Sequence, residues 1–212
     1  MKALLLRIAV LILFSAAIFV ADAKSQDYHQ WELFGGFSYF NFNAGSVPLG
    51  NSQNFALQQD SYGWHVTRTE NKASWFGGIA DFSGNYAHRE VNFGTVQSPL
   101  IVRFNASIYP LLFGPRFYFR HFGRATLFGD TLIGRVHARV AVSGDTMAAS
   151  ETVSETRWAY AFGGGVDYNL TDHFAIRGQT DWIRSDSPET LERDFQNIYR
   201  VSGGIVFKFG GR

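Results

Sequence analysis

The end of the chain alternates between apolar and polar positions with a period of two residues. In an extended strand over residues 197–209, one face would carry Tyr199, Val201, Gly203, Ile205, Phe207 and Phe209. The opposite face would carry Arg200, Ser202, Gly204, Val206 and Lys208. A strand of this length that ends in an aromatic residue is typical of a membrane β-barrel, which turns one face of each strand to lipid.

The same period recurs in seven further segments of the chain. Together they predict eight strands, at residues 31–41, 62–69, 74–86, 104–120, 125–134, 157–169, 174–184 and 197–209. Short turns are predicted at 70–73, 121–124 and 170–173, and long polar loops at 43–61, 87–103, 135–156 and 185–196. Regular alternation of short and long connections is typical of outer-membrane barrels. The fold class predicted is therefore all-β, an eight-stranded antiparallel up-and-down transmembrane β-barrel.

Glycine and proline add local expectations. Pairs of glycines occur in the middle of the first, third, sixth and eighth strands, where a tightly curved sheet needs residues without side chains. Pro115 lacks an N–H group for the sheet ladder, and we expect a β-bulge there.

The N-terminus has the features of a secretory signal. Residues 1–23 contain Lys2 and Arg7, then an apolar run from 8 to 20, then Ala21-Asp22-Ala23. This order predicts cleavage before Lys24 and leaves residues 24–212 as a single barrel domain. The alternative is an N-terminal membrane anchor, but the apolar run is shorter than the ~20 residues that a spanning helix needs.

Composition narrows the function classes. The sequence contains 19 Lys and Arg and 18 Asp and Glu. Two of these bases and one of these acids lie in the signal segment, so 17 charges of each sign remain in the exported chain. A neutral chain makes nucleic acid an unfavourable partner. Aromatic residues reach 17%, which favours strands, and the absence of cysteine excludes disulfides and thiol chemistry.

Charged residues on the polar faces form the main candidate site. They are Glu32, Asp81, Asp130, Asp167 and Asp181 among the acids and Arg116, Arg177, Arg200 and Lys208 among the bases. Because the interior of an eight-stranded barrel is just wide enough for side chains to fill, we expect opposite charges to pair there. The alternative is an ion path or gate. The pairing partners stay open, since a shift of one residue in register turns every side chain to the other face.

Aromatic residues on the apolar faces are expected to form two interfacial girdles. Trp64, Trp158, Tyr160, Trp182 and Tyr199 are expected near the long loops. Tyr168, Phe174, Phe207 and Phe209 are expected near the short turns. A ligand-stacking platform is the alternative interpretation of such exposed rings.

Catalysis has weaker candidates. His65, Asp81, Ser83 and His88 lie on or beside neighbouring strands, and a hydrolase would need such groups within hydrogen-bond reach. Inward polar residues are expected in a barrel anyway, so we predict no catalytic residue and no cofactor. The histidines lack the spacing of metal ligands, and no metal site is predicted.

These features together resemble a known family. The signal sequence, the alternating strands, the opening Trp31-Glu32-Leu33-Phe34-Gly35-Gly36-Phe37 and the aromatic-ended last strand are similar to the small bacterial outer-membrane β-barrels that include OmpA and OmpX. The resemblance covers about residues 31–209 and does not extend to the periplasmic peptidoglycan-binding domain of OmpA. It implies a location in the outer membrane of a Gram-negative bacterium.

The expected role is structural or surface-interacting, with a lumen filled by side chains. The expected partners are outer-membrane lipid, the barrel-assembly machinery during biogenesis, and a surface ligand at the long loops. These loops lack the basic clusters that would indicate lipopolysaccharide binding. Three alternatives stay open: a small porin-like diffusion channel, a barrel-borne lipid hydrolase, and a periplasmic lipocalin-like binder with the opposite polarity.

Overall fold

Eight antiparallel strands make up the structure, a computed structural model that describes residues 28–49, 53–92, 101–144, 151–185 and 196–211. The strands are β1 (Trp31–Leu49), β2 (Gln53–Ala73), β3 (Phe76–Asn92), β4 (Ile101–Phe122), β5 (Ala125–Gly144), β6 (Glu151–Asn169), β7 (Phe174–Ser185) and β8 (Gln196–Phe209). The predicted signal segment lies outside the described residues.

The strands close into a barrel in sequence order, because β1 pairs with both β2 and β8. Along the closing seam Trp31 lies opposite Phe209 and Phe42 opposite Ile198, with no shift of register between them. Closure gives every strand two hydrogen-bonded neighbours and so leaves no open sheet edge. The predicted fold class is confirmed.

The two faces of the wall differ in polarity as the period of two predicted. Outward side chains include Phe37, Phe113, Ile133, Phe162 and Ile205, which are 49–62% exposed. Inward side chains on the same strands are buried, and most are polar or charged. This polarity is opposite to that of a lipocalin, in which the interior is apolar.

Strands β1 to β6 are longer than predicted, and most of the first and third expected long loops is strand, whereas β7 and β8 each exceed the prediction by one residue. β1 continues to Leu49 and returns as β2 from Gln53, and β5 and β6 extend through Gly144 and Glu151. The loop prediction was wrong for these residues because Asn, Ser, Gln and Gly were taken as loop signals. A strand that extends beyond the lipid bilayer needs no apolar face. Its backbone pairing therefore continues there without the alternation of apolar and polar residues.

The predicted bounds of two short turns and the predicted β-bulge at Pro115 were also wrong. The first turn is Ser74–Trp75 rather than 70–73, and the second is Gly123–Arg124 at the end of the predicted segment. The third turn, residues 170–173, was placed correctly. Pro115 lies opposite Gly78 with no shift of register on either side, so the expected bulge is absent there. Pairing with β5 stops at Phe113 and resumes at Arg116 in the same register, which accommodates the missing N–H without an extra residue.

Glycine allows close approach of the two strands at the seam. A Cβ atom on Gly36 would lie 2.3 Å from the carbonyl oxygen of Gly203, and one on Gly204 would lie 2.3 Å from that of Gly35. A Cβ atom on the outward glycine of the Gly35-Gly36 pair would have nothing within 4 Å. The inward glycines, Gly36 and Gly204, therefore allow the backbones of β1 and β8 to lie close together.

No helix in the described part of the chain is long and apolar enough to cross a membrane.

Replacing Ile205 by Arg should destabilise the barrel in a bilayer. Ile205 is 59% exposed and lies on β8 between Tyr199 and Phe209, in the middle of the apolar band. A charge near the bilayer midplane costs about 2–4 kcal/mol. Urea titration of folding into vesicles, read from the boiled-versus-unboiled gel shift, measures this cost. Thr156→Arg, outward and beyond Trp158, is the matched control and should cost only about 0–1 kcal/mol; equal losses would place the apolar band elsewhere.

Replacing Gly36 by Ala should weaken closure of the barrel. The added methyl meets the backbone of β8, and overpacking of this kind costs about 1–3 kcal/mol. Gly35→Ala adds the same methyl one residue away in open space, and its unfolding free energy should stay within about 0.5 kcal/mol of the wild-type value. A loss for Gly35→Ala as large as for Gly36→Ala would contradict the seam described above.

Candidate functional site: the ion-paired barrel interior

The nine charged residues expected on the polar faces all lie inside the barrel. Each is 5% exposed or less, and Asp81, Arg116, Asp167 and Arg200 are fully buried. They come from β1, β3, β4, β5, β6, β7 and β8, so the group surrounds the lumen rather than lying on one side of it. Eight of the nine contact another member of the group, and Lys208 instead donates to the Asn169 side chain at 2.6 Å.

Three ion pairs join residues that face each other across neighbouring strands. Arg116 lies opposite Asp130 and donates from Nε and Nη2 at 2.7 and 2.6 Å. Arg177 lies opposite Asp167 and donates from the same two atoms at 2.6 and 2.8 Å. Arg200 lies opposite Asp181 and donates from Nε at 2.8 Å. The planar guanidinium suits such two-point contacts with carboxylate, which also fix the side-chain orientation.

Three further contacts connect strands that are not neighbours. Arg200 of β8 donates to both carboxylate oxygens of Asp81 on β3, at 2.8 and 2.6 Å. Arg177 of β7 donates to Glu32 of β1 at 3.1 Å, and the Tyr118 hydroxyl of β4 donates to the same Glu32 oxygen at 3.0 Å. These bonds cross the lumen and hold opposite sides of the wall together.

An aromatic ring and an amide connect the ion pairs to one another. The Phe128 ring lies between two guanidinium groups, 4.1 Å from that of Arg116 and 4.6 Å from that of Arg177. Gln179 donates to Asp181 at 2.9 Å and lies 3.5 Å from Arg116. Contact with the ring face favours a cation through the negative charge density of the ring. Eight of the nine interior charges therefore form one continuous network, and Lys208 is bound beside it to Asn169.

His65, a catalytic candidate, is part of this network. Its Nε2 lies 2.8 Å from the Asp81 carboxylate and its Nδ1 lies 3.0 Å from the Ser202 hydroxyl. The order Ser202, His65, Asp81 resembles a nucleophile relay, but the three are 3% exposed or less and Asp81 is also held by Arg200. Ser83 lies opposite His65 in the ladder between β2 and β3 and accepts from Arg200 at 3.2 Å, and His88 lies on the outer face near Asn105. The structure therefore places His65, Asp81 and Ser83 together inside the barrel, away from solvent, and separates His88 from them.

A cavity of about 370 Å³ opens at the short-turn end of the barrel. Its lining includes Glu32, Arg120, Asn169 and Lys208. Glu32 joins this cavity to the interior network, because its carboxylate also accepts from the buried Tyr118 and Arg177 side chains. Groups of acidic residues and histidine that could hold a metal ion are absent from the described ranges.

An apolar cluster fills another part of the lumen, and sequence reasoning missed it. Its members are Phe40, Ile79, Ile108, Leu112, Leu132, Val136, Ala159, Ala161, Ile183 and Ile198. Each lies at an inward position of its strand and is 7% exposed or less. The period of two already placed Ile183 and Ile198 on the inward face, but only the charges of that face were used to characterise the interior.

The nine aromatic residues assigned to the girdles all lie on the outward positions of their strands. Trp158, Tyr168 and Tyr199 are 50–57% exposed, and Phe174, Phe207 and Phe209 are 39–46% exposed. Trp64 packs edge-on against Phe82, and Trp182 contacts Tyr160 and stacks on Phe162. Their membrane depth stays a prediction.

A second group of outward rings was not anticipated. Tyr39, Tyr62 and Tyr86 lie opposite one another on β1, β2 and β3. The rings of Tyr86 and of Tyr109 on β4 meet edge to face, with their centroids 5.9 Å apart. The Tyr39 hydroxyl donates to Asp60 at 2.7 Å. A row of tyrosines at one height, with hydroxyls reaching polar groups, is typical of a membrane interface. The signal was present as one outward tyrosine per strand.

A closed antiparallel barrel with an apolar outer wall and an ion-paired interior defines the class of outer-membrane β-barrels. Residues 8–202 match the family model of the outer membrane protein beta-barrel domain. The chain belongs to this family and is an outer-membrane protein. No curated protein sequence matches the chain.

Solved structures with a similar fold are small outer-membrane barrels. Ail, the attachment invasion locus protein of Yersinia pestis, solved in complex with the heparin analogue sucrose octasulfate, has a TM-score of 0.52 and 17% identity, covering 84% of this chain and 99% of Ail. Neisserial surface protein A has a TM-score of 0.55 and 9% identity, with 87% and 100% covered. OprG from Pseudomonas aeruginosa has a TM-score of 0.54 and 14% identity, with 90% and 100% covered. At these identities the likeness shows the fold alone.

Replacing Arg200 by Met should strongly destabilise the barrel. The change leaves Asp81 and Asp181 buried without their shared cation, and breaking a buried pair in this way costs about 3–5 kcal/mol. The urea midpoint of folding in detergent micelles measures the loss.

An exposed ion pair supplies the control for this experiment. Arg103 donates to Glu90 at 2.9 Å where both side chains are about half exposed, and Arg103→Met should cost less than about 1 kcal/mol. The triple variant R200M/D81N/D181N should regain part of the stability lost in R200M, because it removes the unpaired charges. A single variant R200M as stable as R103M would contradict the interior network.

Proposed function

We propose that the protein is a closed structural barrel that interacts with partners at the cell surface and neither conducts nor catalyses. The observation that carries the proposal is the filled lumen. Buried arginine and carboxylate side chains occupy one part of it, and the apolar cluster around Phe40, Leu112 and Leu132 occupies another. Eight-stranded barrels have just enough interior space for such filling.

The contacts across the lumen support closure rather than gating. Arg200 bonds at once to Asp81, Asp181 and Ser83, so moving its side chain would leave two buried carboxylates without their shared cation. A gate needs an alternative arrangement of similar free energy. Both carboxylates in this part of the network are paired with Arg200, which favours a closed lumen.

The same burial argues against a hydrolase. A nucleophile must meet a substrate, and Ser202 is 3% exposed beneath the wall of the barrel. His65 is hydrogen-bonded to Ser202 and Asp81 and so links β2 to β8 and β3, which is a structural role.

The surface role follows from the strand extensions. β4 and β5 stay paired as far as Val102 and Gly144, well beyond the outward apolar residues Leu111 and Ile133. Such paired extensions hold the long connections away from the membrane, where partner contacts concentrate on loops. The proposed partners are a surface ligand, outer-membrane lipid around the wall, and the barrel-assembly machinery during insertion. Ail, with a similar fold, was solved with a heparin analogue, which agrees with a surface-binding role for such barrels.

Purified protein in a planar lipid bilayer should give no stable open-channel current, because buried side chains occupy the lumen. A general porin reconstituted in the same bilayer is the positive control, and the gel shift verifies that the barrel under test is folded. Reproducible current steps of porin size would replace the proposal with a diffusion channel.

A further inference from the structure

The outer face of β5 changes from apolar to basic partway along the strand. Its outward side chains are Leu127, Thr131 and Ile133 up to the middle of the strand, and then Arg135, His137 and Arg139. All three of these last residues are exposed. We call Arg135, His137 and Arg139 the β5 basic stripe.

The stripe begins at the upper limit of the apolar band. Arg135 lies opposite Leu111 on β4 and Trp158 on β6, and its guanidinium lies 4.8 Å from the Trp158 ring. His137 lies opposite Tyr109. Tryptophan and tyrosine on the outer wall of a barrel favour the headgroup level of the bilayer. We therefore expect Arg135 at the level of the headgroups, and Arg139 lies about 13 Å further along the strand.

The cross-strand neighbours of the stripe are neutral. Arg139 lies opposite Ser107 and Ser154, and His137 lies opposite Tyr109 and Thr156. The outward carboxylate of Glu90, two strands away on β3, is already bound to Arg103. The stripe thus presents positive charge outward beside hydroxyl groups, and a lipid with anionic headgroups can supply the counter-charge.

We propose that the β5 basic stripe binds the phosphate groups of anionic lipid in the outer leaflet. Guanidinium groups bind phosphate through paired hydrogen bonds, and Ser154, opposite Arg139, adds a hydroxyl donor. The Thr156 hydroxyl lies 2.8 Å from His137 Nδ1 and so orients the imidazole within the stripe. Two arginines about 13 Å apart reach more than one phosphate along the wall. The proposal depends on the orientation of the barrel, with long connections outward, and not on whether the lumen is closed.

Sequence reasoning did not find this stripe, because residues 135–156 were taken as a loop and its bases were spread among polar residues. Once the segment is a strand, every second residue points the same way, and Arg135, His137 and Arg139 fall in one row. The basic cluster that the loops lack lies on the wall below them.

The opposite end of the barrel offers a matched control. Arg68 on β2 is also outward and exposed, and its guanidinium lies 4.4 Å from the ring of Trp31 near the short turns. Its cross-strand neighbours are Leu33 and Ala80, and the next outward residues, Val66 and Glu70, are not basic. Arg68 therefore has the same local contact with a tryptophan but no basic row.

The test measures binding of fluorescent lipopolysaccharide to the folded protein in phosphocholine micelles. Wild type should bind, and R135Q/R139Q should bind about thirtyfold more weakly, since each arginine near a charged lipid surface contributes a factor of about five. R68Q should bind as wild type does. Unchanged affinity of R135Q/R139Q, or an equal loss in R68Q, would overturn the proposal.

Two further arms complete the test. Inorganic phosphate is added as a competitor at about 1 mM, a concentration that would occupy a site with a dissociation constant in the millimolar range. It should not displace the lipid. Full displacement would make free phosphate the ligand and overturn the lipid assignment. If R135Q/R139Q fails the gel-shift test for folding, the salt dependence of wild-type binding decides. Affinity that falls steeply with ionic strength supports the stripe, and affinity independent of salt overturns it.

Discussion

Burial of charge inside a narrow barrel is the constraint on which the rest of this structure depends. A carboxylate or guanidinium taken out of water without a partner costs several kcal/mol, so each interior charge must meet an opposite one in good geometry. Arg200 and Arg177 satisfy this condition by reaching both a ladder neighbour and a residue across the lumen. The partners are fixed only when the strands are in register, which makes correct closure a condition for charge compensation.

The wall of the barrel is built to permit that register. The seam between β1 and β8 brings Gly36 and Gly204 together, and on β6 the absence of a side chain at Gly163 leaves space for the Asp181 carboxylate, which would lie 1.9 Å from a Cβ atom there. At Gly163 the space left by the missing side chain is occupied by a charged side chain of the facing strand, and at Gly36 and Gly204 it is occupied by the neighbouring backbone.

The sequence predicts much of this fold because alternate residues of each strand face two different environments, the lipid outside and the polar interior of the barrel. Alternation at residues 197–209 and in the hairpin around 170–173 placed strands, faces and inward charges. Strand ends were not predictable in the same way, since beyond the lipid band residues such as those of 135–144 form a ladder without an apolar face. The pairing of Arg200 with Asp81 could not be derived either, because the residues lie on strands that are not neighbours and their contact depends on the stagger of the whole barrel. The β5 basic stripe was missed for the first of these reasons, because it lies where the strand continues beyond the apolar pattern. The tyrosines lie within the predicted strands, and their alignment in one row depends on the cross-strand register.

Interior and exterior then have separate roles. The interior is committed to its own ion pairs and apolar cluster, and the outer wall changes from lipid-facing residues to tyrosines and then to basic and hydroxyl residues with height. Function at the surface can therefore vary without disturbing the scaffold, provided that the network across the lumen is intact.

A double-mutant cycle on Arg177 and Glu32 tests this account most directly. The two residues lie on β7 and β1 and meet across the short-turn half of the lumen, with Nη2 and Oε2 3.1 Å apart. The free energies of unfolding of wild type, R177M, E32Q and R177M/E32Q give the coupling between them. The account predicts that the double variant loses far less than the sum of the single losses, with a coupling of about 1–3 kcal/mol. Additive losses, within about 0.5 kcal/mol, would show that the charges do not hold the barrel together across its lumen.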